Sequence, residues 1–123
     1  MGEKNVHKAF LGASNEIIEL ERKSGKNDIE KLDTRLSVIE ENWDKIKALA
    51  SDAAKPEIIS SILKRLKAPI TPAEIGVEKE LAKQAIIYAK EIRDRYTVLQ
   101  LLWDLGELNS FAETVVNEYY KMY

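Results

Sequence analysis

Residues 68–105, APITPAEIGVEKELAKQAIIYAKEIRDRYTVLQLLWDL, carry the clearest set of helix boundaries in the chain. Thr71, Pro72 and Glu74 form a start signal. The threonine hydroxyl can accept a backbone N–H, proline fits the first helical turn, and a glutamate three residues on can reach back. A short helix is predicted to stop at Gly76, since glycine tolerates the positive φ of a helix end, and a longer helix should follow over Val77–Ile92. There Val77, Leu81, Ala85, Tyr88 and Ile92 share one line, with Ala82, Ile86 and Ala89 beside it, while Glu78, Lys79, Glu80, Lys83, Lys90 and Glu91 are expected to face outward. From Tyr96 to Leu105 apolar residues cover nearly the whole helix circumference, which predicts a helix covered on every side and capped by Gly106.

Helical spacing extends in both directions from this stretch. Val6, Phe10, Ala13, Ile17 and Leu20 predict a helix over Asn5–Lys23, ended by Ser24-Gly25-Lys26-Asn27. A short turn over Asp28–Leu32 should precede a seam at Leu36, Ile39, Trp43, Ile46 and Ala50. Burial of Trp43 there would make Trp43→Ala cost ~3–5 kcal/mol. Pro56 opens a further helix with Ile58, Ile59, Ile62, Leu63 and Leu66 inward, and Leu108, Phe111, Val115, Tyr119 and Met122 stripe the last one. No segment shows a two-residue alternation bounded by turns. The prediction is an all-α, multi-helix domain of about five longer helices plus short helical turns, with residues 1–123 as a single unit.

The formal charge is −2, with 33% charged and 45% apolar residues, as in an ordinary folded domain. Lys and Arg alternate with Asp and Glu along every segment, so no nucleic-acid partner is expected; Lys64-Arg65-Lys67 reads as a solvated face near a helix C-terminus. The chain has no cysteine, which excludes disulfides and thiol catalysis. No apolar run reaches the ~18 residues of a membrane span, so no membrane association and a cytoplasmic location are expected.

Pro69, Thr71, Glu74, Ile75, Gly76 and Val77, followed by Ile92, Arg93, Asp94, Arg95, Tyr96, Thr97, Val98 and Leu99, resemble the C-terminal helical domain of the sn-glycerol-1-phosphate dehydrogenases, relatives of glycerol dehydrogenase and 3-dehydroquinate synthase. Trp103-Asp104-Leu105-Gly106 and Asn42-Trp43 make the resemblance closest to the bacterial branch. It implies, for a full-length enzyme of phospholipid metabolism, NAD(P)H-dependent reduction of dihydroxyacetone phosphate to sn-glycerol 1-phosphate, with a divalent zinc or nickel ion as Lewis acid. It also implies an Asp and two His as metal ligands, one of them in a His-Gly-Glu motif. Met1-Gly2-Glu3 aligns with that motif with Met1 in the histidine position, so none of the ligands is expected here.

A two-domain dehydrogenase needs on the order of 300 residues at ~150 per domain. The five glycines, at positions 2, 12, 25, 76 and 106, never cluster into a pyrophosphate cradle. The expected reading is therefore an inactive helical fragment whose partner is a missing N-terminal nucleotide-binding domain. The alternative is a free-standing interaction or oligomerisation module, a homo-oligomer joined through Leu99, Leu102 and Trp103.

His7 has no partner at metal-binding spacing and reads as a surface histidine. Glu16, Glu19 and Glu21 read as an exposed face paired with Arg22 or Lys23. Arg93, Asp94, Arg95 and Tyr96 read first as a charged corner, with Asp94 or Thr97 capping the next helix, and second as a place where Arg93, Arg95 or Tyr96 meets a substrate phosphate or the interdomain cleft. Tyr119, Tyr120 and Tyr123 form a candidate aromatic patch. No catalytic, cofactor-binding or metal-ligating residue is assigned.

Overall fold

A computed structural model describes residues 3–121; the predicted positions of Met1, Met122 and Tyr123 lie outside the described residues. The helices are α1 Glu3–Phe10, α2 Ser14–Ser24, α3 Leu32–Glu41, α4 Trp43–Ser51, α5 Pro56–Arg65, α6 Lys79–Tyr88, α7 Val98–Asp104 and α8 Leu108–Tyr120. Short 3-10 turns occupy 11–13, 29–31, 72–75 and 89–91. Helices α2, α3, α5, α6 and α8 run ten residues or more, which matches the five longer helices expected, and no strand occurs among the described residues.

Local punctuation explains most boundaries. Gly76 ends the 72–75 turn at φ 75°. Glu74 reaches back to the Ile70 N–H at 3.2 Å, and Thr71 donates its hydroxyl to that carboxylate at 3.3 Å. Thr97 caps α7 by accepting the Gln100 N–H at 3.4 Å. After α7 the chain closes a Schellman turn: Glu107 N–H donates to Leu102 O at 2.8 Å and Gly106 N–H to Trp103 O at 3.0 Å, with Gly106 at φ 77°.

The core lies where α6 packs on α8, with α1, α2 and α7 around that pair. Its innermost residues are Val6, Ile18, Ile39, Ala82, Leu108, Ala112 and Val116. Leu108, Ala112 and Val116 form one four-residue line of α8, one step from the predicted stripe, and Phe111 is left exposed. Phe10 meets Tyr88 edge to face, with ring centroids 6.2 Å apart. Lys83 pairs with Glu113 across α6 and α8, and Tyr120 donates its hydroxyl to the Val77 carbonyl.

Several burial expectations fail for identifiable reasons. The single helix expected over Asn5–Lys23 breaks at the 11–13 turn, so α1 folds onto α2 and the inward positions of α2 become Ser14 and Ile18. Likewise the seam through Trp43 breaks at Asn42, and Trp43 is 42% exposed at the first residue of α4. Helix α5 makes no extensive contact with any other element, and Ile58, Ile59, Ile62 and Leu66 are exposed. In α6 the inward line passes through Ala82, leaving Leu81 in solvent, and Ile92, after the 89–91 turn, is exposed as well.

Leu108→Ala, at a side chain with 1% exposure, is expected to cost about 3 kcal/mol, within the range of buried leucine truncations. Half-exposed Trp43 should lose only about 1–2 kcal/mol on replacement by alanine. Urea denaturation of both variants checks the order.

Candidate functional site

The polar interior is more ordered than the sequence predicts. Lys90 and Glu91, expected on the solvent face, are 2% and 0% exposed. Helix α6 ends at Tyr88 and the chain continues as a 3-10 turn. The turn advances roughly 120° per residue rather than 100°, so residues 90 and 91 leave the face that helical stepping assigns them. The 26–27 loop then closes over them. Lys90 Nζ donates to the Glu91 carboxylate and to Asn27 Oδ1 at 2.8 Å, and lies 4.7 Å from the centre of the Trp103 ring. Asn27 Nδ2 donates to Glu91 at 3.1 Å and to Glu21 at 2.7 Å, so Glu21 leaves the exposed row predicted for it. Lys26 Nζ reaches Glu91 Oε2 at 3.5 Å, the Lys90 carbonyl, and the Arg93 carbonyl at 2.8 Å.

One turn away stands a second ionic knot. Arg35 holds Asp104 with two parallel bonds, Nε to Oδ2 at 2.9 Å and Nη2 to Oδ1 at 3.0 Å, and also donates to the Asp28 carbonyl at 3.0 Å. Tyr96 donates its hydroxyl to Asp104 Oδ2 at 2.8 Å. Gln100 Nε2 bridges Asp104 Oδ1 and the Lys26 carbonyl, both at 3.3 Å, and thereby joins the two knots. Its Oε1 is buried without a partner. Gln100 and Asp104 sit four residues apart on one face of α7. That polar face is the buried one, whereas Leu99, Leu102 and Trp103 are half-buried and Val98 is exposed, which corrects the expectation of an α7 enclosed on its apolar sides.

The charges follow from these contacts. Hydrogen bonding to Asp104 raises the Arg35 pKa and keeps the guanidinium charged. Burial pushes the Lys90 ammonium below its usual range, against the opposing pull of Glu91, and Lys26 adds to the downward shift. Burial of its hydroxyl, followed by the hydrogen bond to Asp104 and that carboxylate's charge, holds Tyr96 well above the usual phenol range.

Of the residues singled out from sequence, Tyr96 joins the knot, whereas the side chains of Arg93 and Arg95 are exposed beside it. Thr97 caps α7, and no ion pair joins Asp94 to either arginine among the described residues. Sequence reasoning missed Lys26, Asn27, Arg35 and Gln100 as interior groups. The four-residue spacing of Gln100 and Asp104 was the available signal, and the apolar residues around it masked it.

The residues do not fit a catalytic metal centre. His7 Nδ1 is bonded to Ser14 Oγ at 2.7 Å, Glu3 pairs with Arg22, and among the described residues no three of His, Asp and Glu converge to hold an ion. A dinucleotide cradle has no strand-to-helix glycine turn to build on among them either. No described helix is long and apolar enough to cross a membrane.

Fold and site thus define an all-α helical unit braced by a buried ionic network. It is similar to parts of glycerol-1-phosphate dehydrogenases. To the glycerol-1-phosphate dehydrogenase (NAD(P)+) of Bacillus licheniformis it is 39% identical over 46 residues, which is 37% of this chain and 12% of that protein. To the like-named proteins of Methanoculleus marisnigri and Methanoregula boonei it is 39% identical over 66 residues and 33% over 63, covering 53% and 50% of this chain and 17% and 16% of theirs. The chain therefore spans less than a fifth of the length of these relatives, which come from bacteria and archaea alike. No family model and no solved structure matches.

Glu91→Leu leaves two buried ammonium groups without their carboxylate and is expected to cost about 3–5 kcal/mol, much of it recovered in the Lys90→Met/Glu91→Leu double variant. Equilibrium denaturation of the single and double variants checks this. On raising pH, Tyr96 should ionise only well above the usual phenol range, and Tyr96→Phe should remove that late step from the tyrosinate absorbance. Since the folded state holds this proton more tightly, its contribution to stability is complete below about pH 10, the unfolded value, and is lost as pH rises beyond that.

Proposed function

We propose that this chain is the C-terminal helical domain of a glycerol-1-phosphate dehydrogenase-like, NAD(P)-dependent oxidoreductase, inactive by itself. The observation that carries the reading is the 33–39% identity to three proteins of that name. The finer placement in the bacterial branch rests on Asn42-Trp43 and Trp103-Asp104-Leu105-Gly106, and a cytoplasmic location accompanies it. The complete enzyme would reduce dihydroxyacetone phosphate with NAD(P)H, using a zinc or nickel ion as Lewis acid. In this reading cofactor and ion would be held by a nucleotide-binding domain and ligand set outside this chain.

What the chain supplies in that reading is a rigid wall. Lys26 grips the Arg93 carbonyl and Asp104 grips Tyr96, so the 93–97 corner is tied at both ends while Arg93 and Arg95 stay in solvent. Such a corner can offer a guanidinium to a substrate phosphate without reorganising. A second reading, a free-standing interaction module associating through Leu99, Leu102 and Trp103, is favoured by the apolar surface that the fold leaves open.

The chain alone is expected neither to oxidise NAD(P)H with dihydroxyacetone phosphate and added zinc or nickel nor to quench NAD(P)H fluorescence on titration; turnover would contradict the proposal. Conversely, replacing the matched 46 residues of the Bacillus licheniformis protein by this chain's counterpart should give a folded chimera that keeps its dehydrogenase activity. An inactive chimera with native thermal stability would count against domain equivalence.

A further inference from the structure

A self-contained monomer of 14.0 kDa exposes about 6,700 Å². This chain exposes 9163 Å², an excess of about 2,500 Å². That is roughly what one partner contributes to a large obligate interface, whose total runs to about 2,000–5,000 Å².

The excess includes two features of opposite shape. Helix α5 stands apart from the rest, and Ile58, Ile59 and Ile62 on it with Leu66 at its C-cap, each 48–71% exposed, continue the three- and four-residue steps of an amphipathic stripe. Separately, α3, α4 and the start of α7 enclose an apolar groove of about 1020 Å³, lined by Val38, Ile39, Ile46, Leu49, Ala50 and Leu101. No α5 residue lines it. The groove-forming helices α3 and α4 have 10 and 9 residues, and α5 has 10, so their lengths match at about 15 Å.

We infer that a second copy of this chain occupies the groove, by reciprocal exchange in which α5 of each copy lies in the α3–α4–α7 groove of the other. One chain carries both halves of a helix-in-groove contact, and a two-fold arrangement satisfies both halves twice. The same contact accounts for an isoleucine stripe without a partner in its own chain and for an apolar groove that its own α5 leaves open. A single apolar patch would leave one of the two unexplained. This association is independent of whether the chain derives from a dehydrogenase.

Light scattering at about 100 µM protein tests it, in a range where weak dimers are populated. The expected mass is twice 14.0 kDa. Ile59→Asp/Ile62→Asp on the exposed stripe, and separately Ala50→Trp at an exposed groove position, should each raise the dissociation constant at least ~100-fold with unchanged helical circular dichroism. Because the sequence has no cysteine, chains carrying Ile62→Cys mixed with chains carrying Ala50→Cys should give a disulfide-linked dimer on mild oxidation. A species of 14.0 kDa overturns the inference. So does a dimer that both substitutions leave intact, which would place the contact elsewhere, and so does a dimer without the 62–50 cross-link, which would deny α5 its seat in the groove.

Discussion

Asp104 is the point on which distant parts of this chain converge. Its side chain is wholly removed from solvent and accepts from Arg35, Tyr96 and Gln100, which bring together α3, the 93–97 corner and the buried face of α7. A buried carboxylate is tolerated when its lone pairs are filled and an opposite charge lies beside it. The paired guanidinium bonds meet both conditions and add direction, since the flat fork fixes the approach of α3. Through Gln100 the constraint passes to the Lys26 backbone, and from Lys26 to Glu91 and the Arg93 carbonyl. The exposed arginines of the corner inherit their position from charges that are not exposed.

Such bracing is needed because the apolar core is small. Seven hydrophobic side chains reach full burial among the described residues, and none is aromatic. In their place Lys26, Lys90, Glu91, Gln100 and Asp104 occupy the centre. An ionic interior is a weak source of stability compared with well-packed hydrocarbon, but it is intolerant of displacement, because moving one charge strands its neighbours. The arrangement therefore specifies where helices sit more than it increases how strongly they are held.

What the sequence revealed and concealed divides along the same line. Boundaries at Thr71-Pro72, Gly76, Thr97 and Gly106 were legible because they depend on residues a few positions apart, whose backbone needs are local. The all-α class followed from spacing alone. Facing was harder. Lys90 and Glu91 look like solvent residues to any rule that equates charge with surface, and their burial requires a 3-10 turn at 89–91 together with a loop more than sixty residues earlier in the chain. Trp43 looked like core because the seam was read as continuous, whereas the break at Asn42 turns its ring partly to solvent. Arg35 had no local signal, since its partner lies 69 residues away.

The open apolar surface links the two functional readings physically. A nucleotide-binding domain and a second copy of the chain would draw on a common store of unburied side chains, at α5 and at the α3–α4–α7 groove. If both partners reached these side chains, they would compete, and each would weaken the other by the free energy of its own binding. The ionic network borders that contest, since Lys26, Arg35 and Tyr96 also line the groove, but its charges are already satisfied within the chain. In the chain alone the 93–97 corner already has a geometry set by Lys26 and Asp104, and a partner seated in the groove would meet Tyr96 and Thr97 held in it. A corner held this way can serve a site completed by another polypeptide, since its position is fixed before that polypeptide arrives.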